Sequence, residues 1–299
     1  MPTLPEFLII GAAKSGTTTL FHALDQHPDI FMPFNKEPSF YNNDKNYALG
    51  ADWYSNTYFQ KAKKNAIRGE ATPGYLFWSE KVVPRIEETY LRHGPKFIAI
   101  FRDPVERAYS AYWHLKHYGG ESLSFREALE AETSRLASNG DQLKASGFIK
   151  YAYFQGGCYA TQLQPYLNCF PHKNFRFFLT EDLQTNFSQS LQEIYEFLGV
   201  QSIPGQQSNV RNQASRMRSK TLYGWIRRRS FLKELVKPFL SQSFRFKLKN
   251  TLQNMNMIAE PYPPMDPDLV SILRQRYLSE IRLLELMIGR DLSAWKEGP

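Results

Sequence analysis

The sequence predicts an α/β fold in one domain, with a central parallel sheet flanked by helices. Two observations predict it. Short apolar runs alternate with longer amphipathic segments along the chain, which is the pattern of β-α-β units. In addition, the first apolar run leads through a turn of small residues into a helix, as in a phosphate-binding loop. The 299 residues are 42% hydrophobic, enough for one large core. We therefore expect residues 1–299 to form a single domain.

Five apolar runs are predicted to be strands of the sheet. Lys96–Phe101, which reads KFIAIF, is the clearest, because an unbroken apolar run of this length is typical of a strand buried on both faces. The other predicted strands are Phe7–Ile10, Ile30–Met32, Ala66–Gly69 and Asn174–Leu179.

The helices are predicted from apolar residues at helical spacing and from their end signals. Pro104 suits the first turn of a helix that runs to about His117. Gly199 suits the position after a helix over Phe187–Leu198. The other predicted helices are Thr17–Gln26, Glu37–Asn42, Asp52–Phe59, Glu80–Arg92, Phe125–Ala137, Tyr159–Phe170 and Asp268–Ile288.

Positive charge is concentrated in one stretch of the chain. The net charge is +8, yet residues 211–249 contain twelve Lys/Arg and one acid, Glu234, so this stretch carries +11 and the remainder −3. We expect residues 200–219 to be a loop and the following residues, to about Met255, to be basic helical segments. Such a local charge predicts an anionic partner for this stretch.

The composition also predicts the cellular compartment. No apolar run approaches the roughly 18–20 residues that span a bilayer, and no secretory signal is evident at the N-terminus. Peripheral contact with a membrane stays open. Cys158 and Cys169 are the two cysteines, and about 16 Å of predicted helix would separate them, too far for a disulfide. Free cysteines favour a reducing, cytoplasmic location, and no metal-ligand spacing is present.

The turn after the first predicted strand has the residues of an anion site. Gly11 and Gly16 have the separation found in nucleotide-triphosphate P-loops, but Thr17 follows Gly16, and the lysine, Lys14, lies inside the loop. The free N–H groups of the following helix favour an anion. Thr17 and Thr18 would add hydroxyl donors. A tight turn with a solvated lysine is the alternative.

A second anion site is predicted at the end of the strand KFIAIF. In P-loop kinases a strand in this position usually ends in a carboxylate that holds Mg²⁺, whereas here it ends in Arg102. Ser110 follows eight residues later and could lend a hydroxyl to the same anion. Asp103 precedes Pro104 and is predicted to cap the helix. Alternatively, Arg102 pairs with an acid. Two phosphate sites without a metal motif suit a nucleotide that carries phosphates at both ends of its ribose.

These two motifs resemble those of sulfotransferases that use 3′-phosphoadenosine-5′-phosphosulfate (PAPS). The resemblance is to the branch with the heparan sulfate sulfotransferase domains and bacterial relatives. In that family K-x-G-T-T binds the 5′-phosphosulfate, and the first arginine and the serine of R-D-P-x-x-R-x-x-S bind the 3′-phosphate. The residues thereby implied to bind the cofactor are Lys14, Ser15, Gly16, Thr17, Thr18, Arg102 and Ser110.

Two further motifs of the family match on the acceptor side. KEPSFY, Lys36–Tyr41, resembles K-E-x-x-F-F/Y, which implies that Glu37 is the general base and that Lys14 is the second catalytic residue. GEATPGY, Gly69–Tyr75, resembles G-E-x-(S/T)-P-x-Y, with alanine where glycosaminoglycan-type members often carry lysine. Within this motif, Glu70 is either structural or a residue that holds the acceptor.

A basic loop late in the chain covers the cofactor in relatives. The matching stretch is NQASRMRSK, Asn212–Lys220, in which the resemblance implies Arg218, and as second choice Arg216, as ligands of the 3′-phosphate. A solvated basic face is the alternative. We expect the covering segment to span about residues 205–255.

The resemblance implies an enzyme that transfers a sulfonate from PAPS to a hydroxyl or amine, with no metal. The acceptor would be a saccharide or glycolipid, and a small hydroxylated metabolite also stays open. A P-loop nucleotide kinase is one competing hypothesis, disfavoured by the position of Lys14 and by Arg102. A non-enzymatic nucleic-acid binder through residues 211–249 is the other, although no recognised nucleic-acid module surrounds that stretch. His22 and His114 are assigned no role.

Overall fold

The structure is a computed structural model that describes residues 2–91, 94–147, 149–203, 215–217, 257–259 and 261–297. Within these residues the fold is built on a five-stranded sheet in the order β2-β3-β1-β4-β5. All neighbouring strands pair in parallel. The strands are β1 (Phe7–Gly11), β2 (Ile30–Phe31), β3 (Ile67–Ala71), β4 (Lys96–Phe101) and β5 (Phe175–Leu179).

The predicted α/β fold with a parallel sheet is confirmed, and each predicted strand is present with its ends shifted by two residues or fewer. The central strand β1 is buried on both faces. Phe7 and Ile9 pack into one hydrophobic cluster, and Leu8 and Ile10 pack into another on the opposite face. Because successive side chains of a strand alternate between faces, an unbroken apolar run is what a sheet covered by helices on both sides requires.

Helices cover both faces of the sheet. The cluster that contains Leu8 and Ile10 also contains side chains from the helices around residues 50–90 and 159–169, and the cluster that contains Phe7 and Ile9 contains side chains from the helices around residues 17–24 and 187–198. The helices are α1 (Thr17–Leu24), α2 (Asp44–Tyr47), α3 (Gly50–Tyr58), α4 (Gly74–Phe77), α5 (Ser79–Tyr90), α6 (Pro104–His117), α7 (Phe125–Glu130), α8 (Glu132–Ser146), α9 (Tyr159–Cys169), α10 (Thr180–Thr185), α11 (Phe187–Leu198), α12 (Pro267–Ile288) and α13 (Ser293–Glu297).

The helix predicted over Glu37–Asn42 is wrong, because this segment is irregular. Ser39 has a left-handed backbone with φ 52°, which a right-handed helix cannot accommodate. The N–H groups of Phe40 and Tyr41 donate to the side-chain hydroxyl of Tyr75 rather than to a carbonyl of a preceding turn. Contacts with a distant part of the chain therefore override the local propensity.

The basic region is described only in part. Residues 215–217 form β6 (Ser215–Met217), which pairs antiparallel with β7 (Met257–Ala259), so the prediction of a continuous loop over residues 200–219 is wrong at this point. The predicted helical segments up to residue 255 lie outside the described residues, and the assignment of residues 1–299 to one domain stays a prediction. None of the described helices is both long and apolar enough to cross a membrane.

Candidate active site

A cleft of about 710 Å³ opens beyond the carboxyl ends of the strands. It is lined by the residues that follow three of them, namely Lys14 after β1, Thr72 after β3 and Arg102 after β4, and by Thr180 at the start of α10. Ligands of open α/β sheets bind at this edge, and the volume is in the upper part of the range for small-molecule sites, about 300–1,000 Å³. Both predicted anion motifs therefore face one space.

The loop between β1 and α1 is shaped to bind an anion with its backbone. Lys14 has φ 74° and Gly16 has φ 96°, so two residues of the loop adopt the left-handed conformation. Gly16 is the N-cap of α1 and no side chain caps this helix, so the first amides of α1 are left to a ligand. Gly16, Thr17 and Thr18 line the cleft. A helix N-terminus that follows a left-handed turn is a ready anion site.

The Lys14 side chain lies within a group of cations. Burial lowers its pKa to about 8, and the charges of Arg102, Arg107 and Lys36 contribute to the lowering, whereas Glu37 opposes the shift. All five side chains line the cleft. Four cations around one acid make a field that favours a multiply charged anion. Bound negative charge would return the Lys14 pKa toward its usual value.

Arg102 reaches from the end of β4 to the loop and to a neighbouring acid. Its guanidinium donates to the Glu106 carboxylate at 2.9 and 3.0 Å and to the Lys14 carbonyl at 3.5 Å. The partner is thus Glu106, one helical turn along α6, rather than Asp103, which caps α6 as predicted. The Glu106 side chain is 58% exposed, and an exposed pair of this kind contributes only about 0.3–0.5 kcal/mol. Arg102 can therefore exchange this carboxylate for a bound phosphate.

The helix α6 lines the cleft with Arg107, Ser110, Ala111, His114 and Leu115, of which Arg107, Ser110 and His114 are polar or charged. Arg107 is buried, with its Nε donating to the Ala13 carbonyl at 3.1 Å. Its Nη1 donates to the carbonyls of Ala152 and Tyr153 at 2.8 and 3.2 Å. Arg107 thus ties the residue before Lys14 to residues 152 and 153, which also line the cleft.

Sequence reasoning gave Arg107 and His114 no role. The signal that could have found them is helical periodicity, because residues three and four positions from Ser110 lie on the same face of α6. Burial lowers the pKa of His114 to about 3, and the nearby charges of Lys14 and His117 contribute to the lowering. The His114 imidazole in the cleft is therefore neutral near pH 7.

Glu37 lies in the irregular segment after β2 and is the only acid among the described residues that line the cleft. Its carboxylate is 54% exposed and accepts a hydrogen bond from the Lys36 ammonium at 2.9 Å. The Asn46 amide clamps the next residues by donating to the carbonyls of Pro38 and Ser39, each at 3.1 Å. The general base implied by the resemblance is thus held beside Lys14, whose pKa its charge affects.

The motif GEATPGY does not offer its glutamate to the cleft. Glu70 and Ala71 are fully buried, and the cleft-lining residues of this motif are Thr72, Pro73 and Gly74. Glu70 therefore cannot hold an acceptor directly.

The wall also includes uncharged polar and aromatic groups, among them Asn35, Ser39, Asn42, Asn43, Asn46, Tyr58, Ser146, Tyr151, Tyr153 and Gln184. Aliphatic side chains, those of Leu115, Ile149 and Leu183, line it as well.

Three predicted cofactor ligands are not among the described residues that line the cleft. Ser15 is fully buried within the loop and does not line the cleft. Arg216 belongs to β6, and Arg218 lies outside the described residues. Within the described residues, His, Cys, Asp and Glu form no group of three that could hold a metal ion.

Fold and cleft together define an α/β protein with a positively charged cleft at the carboxyl ends of its parallel strands. Comparison with known proteins identifies the class: residues 4–255 match the model of the sulfotransferase domain, and the chain belongs to this family. The resemblance predicted from the motifs is thereby confirmed, and the kinase hypothesis is not supported.

Individual relatives agree with this assignment. The chain is 32% identical over 202 residues to mouse heparan sulfate glucosamine 3-O-sulfotransferase 3B1, covering 67% of this chain and 47% of the relative. It is 24% identical to a bifunctional heparan sulfate N-deacetylase/N-sulfotransferase of Drosophila melanogaster, covering 98% of this chain and 27% of the relative. The chain thus spans half or less of these curated relatives.

A bacterial sulfotransferase has a similar structure along its whole length. The crystal structure of a sulfotransferase from Alicyclobacillus acidocaldarius superimposes with a TM-score of 0.71 at 27% identity. The alignment covers 99% of this chain and 100% of that one.

Proposed function

We propose that this protein transfers a sulfonate group from PAPS to a hydroxyl or amine of a saccharide or glycoconjugate. The observation that carries the proposal is the convergence of three predicted elements in one cleft. These are the Lys14 loop, the pair Arg102 and Ser110, and the carboxylate of Glu37. Each element alone also occurs in proteins of unrelated activity, but their convergence matches what a transfer reaction between a phosphorylated nucleotide and an acceptor needs.

The residues present fit PAPS at two separate anion sites. The loop amides, Thr17 and Thr18 would hold the 5′-phosphate, while Arg102 and Ser110 would hold the 3′-phosphate. The uncapped start of α1 and the depressed pKa of Lys14 both indicate a place for negative charge. PAPS supplies the activated sulfonate, which is bonded to a phosphate that leaves.

The chain's own residues would provide positioning and electrostatics for this transfer. Lys14 stabilises the negative charge that develops on the leaving phosphate oxygen, as preorganised cations do at other developing charges. Glu37 accepts the proton of the acceptor hydroxyl or amine. Arg107, which donates to the Ala13 carbonyl, keeps Lys14 in place, which is the orientation component of catalysis.

The uncharged polar and aromatic residues of the cleft wall support a hydroxylated acceptor. Asparagine and serine side chains with aromatic rings among them are able to hydrogen-bond and stack on sugar rings. The names of the relatives, which refer to heparan sulfate, support a saccharide but do not specify which one. Ala71 is buried, so the position at which glycosaminoglycan-type members often carry lysine presents no side chain to an acceptor.

The proposal is tested by supplying radiolabelled PAPS with a panel of saccharide, glycolipid and small hydroxylated acceptors. We expect label to move to at least one saccharide-bearing acceptor, with the product identified by mass spectrometry. Failure to bind the desulfonated nucleotide, 3′-phosphoadenosine-5′-phosphate, together with tight binding of Mg-ATP, would overturn the proposal.

The role of Glu37 has its own test. Glu37→Gln should lower turnover by about 10²-fold or more, because proton removal from the acceptor is lost, while binding of the desulfonated nucleotide is unchanged. Glu130→Gln, at the end of α7 and outside the cleft, serves as the matched control and should behave like the wild type. Near-normal turnover of Glu37→Gln would show that another group is the base.

A further inference from the structure

The Glu70 carboxyl is buried at the end of β3, behind the cleft wall. The Glu70 side chain has no exposed surface. The Thr72 hydroxyl donates to its Oε2 at 3.4 Å, and the hydroxyls of Tyr54 and Tyr75 lie beside it and influence its pKa. Burial raises that pKa to about 8, and the charge of Glu37 contributes to the increase. Burying a polar group of this kind costs free energy unless its hydrogen bonds are used, so the contacts of this carboxyl indicate what it does.

One contact leads from Glu70 through Tyr75 to the segment that carries Glu37. The Tyr75 hydroxyl oxygen accepts from the N–H of Phe40 at 3.0 Å and from that of Tyr41 at 3.4 Å. The Tyr75 hydroxyl also lies beside the Glu70 carboxyl, whose Oε1 has no hydrogen-bond partner of its own. With its oxygen used as an acceptor by two amides, the hydroxyl has its proton free for that oxygen, and such a bond would fix the rotation of the hydroxyl.

The second contact leads through Thr72 in the same way. The Thr72 hydroxyl donates to Glu70 and accepts from the N–H of Ser39 at 3.3 Å. Ser39 has φ 52°, a left-handed conformation that a non-glycine residue adopts only when its surroundings enforce it. Three consecutive amides, beginning two residues after Glu37, are thus held by two hydroxyls that both lie beside the same carboxyl.

We propose that Glu70 is a positioning residue for Glu37. It holds Tyr75 and Thr72 so that their oxygens fix the backbone of residues 39–41, and this fixed backbone sets the approach of Glu37 to the acceptor. The proposal rests on the proposed function, in which Glu37 is the base. It accounts for a glutamate that is buried at a motif position beside the cleft yet does not face the acceptor.

The test uses two variants that interrupt the chain of hydrogen bonds at different points. Glu70→Gln keeps the shape but replaces one carboxyl oxygen with an NH₂ group, which cannot accept a hydrogen bond from a hydroxyl, and Tyr75→Phe removes the acceptor of two amides. Each should lower kcat by about 10- to 100-fold, the size of effect that a displacement near 1 Å produces. The affinity for the desulfonated nucleotide should stay within about twofold of the wild-type value, because the loop at Lys14 is untouched.

Tyr54→Phe is the matched control. It removes a hydroxyl that lies beside the same carboxyl but none of the hydrogen bonds that reach residues 39–41. Its kcat should equal that of the wild type. A Tyr54→Phe loss as large as that of Tyr75→Phe would contradict the proposal, because general damage to the buried cluster would then account for both losses.

A double variant separates positioning from a structural role. If Glu70 acts through Glu37, then Glu37→Gln combined with Glu70→Gln should turn over no more slowly than Glu37→Gln alone, because coupled residues are not additive. Multiplied losses in the double variant would overturn the proposal, and so would wild-type kcat in both Glu70→Gln and Tyr75→Phe. If Glu37→Gln itself keeps full activity, the base assignment of the proposed function fails first, which is a distinct outcome.

Discussion

The two sides of the cleft are built in different ways. The proposed donor side consists of the short turns after β1 and β4 and of the helices α1 and α6 that follow them, and these elements carry Lys14, Arg102 and Ser110. The acceptor side consists of an irregular segment around Glu37, which is held by side chains from α2, from α4 and from the residues after β3. The regular elements of the donor side are therefore specified by local sequence, whereas the backbone path of the acceptor side depends on side chains from distant segments.

This difference suggests why the two sides would respond differently to substitution. On the donor side, residues would bind and stabilise charge themselves. On the acceptor side, a residue such as Tyr75 would act by holding others in place. Damage to the donor side should therefore affect nucleotide binding as well as turnover, and damage to the acceptor side should affect turnover alone.

The largest expected effect is that of Lys14→Ala. Loss of a preorganised cation at the developing charge should lower kcat by about 10²- to 10³-fold, with a smaller effect on binding of the desulfonated nucleotide, since the loop amides remain. Steady-state kinetics with radiolabelled PAPS and calorimetry measure the two quantities. Lys45→Ala, outside the cleft, is the control, and full activity of Lys14→Ala would remove this lysine from the mechanism.

Arg107→Lys tests whether the hydrogen bonds of Arg107 hold the loop before Lys14 against residues 152 and 153. Lysine keeps the charge but cannot reach the carbonyls of Ala13, Ala152 and Tyr153 together, so buried acceptors lose their donor. We expect a loss of about 2–3 kcal/mol in the free energy of unfolding, measured with urea. We also expect kcat to fall by about tenfold or more through displacement of the loop. An unchanged free energy of unfolding would show that these three hydrogen bonds do not stabilise the fold around the cleft.

The pH dependence should report the charge of Lys14. Its pKa is lowered to about 8, so the free protein loses this charge as the pH rises through about 8, and kcat/KM should fall above that value. Bound phosphate raises the pKa again, so nucleotide binding just above that pH should take up a proton. Calorimetry in buffers of different ionisation enthalpy measures this uptake, and Lys14→Ala should abolish it. An uptake that persists in Lys14→Ala would assign the titration to another group.

The smallest expected effect is that of Glu106→Ala. Removing the carboxylate frees the Arg102 guanidinium from an exposed pair that contributes only about 0.3–0.5 kcal/mol. Affinity for the desulfonated nucleotide should therefore rise by about twofold as measured by calorimetry, with kcat unchanged. A weaker affinity would indicate that Glu106 holds Arg102 in its binding position rather than competing with the phosphate.

Predictions from the sequence were most accurate for helices and strands whose ends are determined by neighbouring residues. The strand KFIAIF and the helix over Phe187–Leu198 have their predicted ends, because an apolar run, a proline or a terminal glycine acts on its immediate neighbours. The donor-side motifs could be recognised for the same reason. By contrast, the segment around Glu37 was predicted as a helix, and its true form depends on hydrogen bonds to Thr72 and Tyr75 more than thirty residues away. No local pattern carries that information.

The central claim is that the cleft holds two separate phosphate sites, and it is tested most directly by a nucleotide that lacks the 3′-phosphate. Calorimetry compares 3′-phosphoadenosine-5′-phosphate with adenosine 5′-monophosphate, in the wild type and in Arg102→Ala. We predict that the wild type prefers the first nucleotide by about 10²-fold, corresponding to about 2.7 kcal/mol, and that Arg102→Ala loses most of this preference. Equal affinity of the wild type for both nucleotides would contradict the two-site cleft.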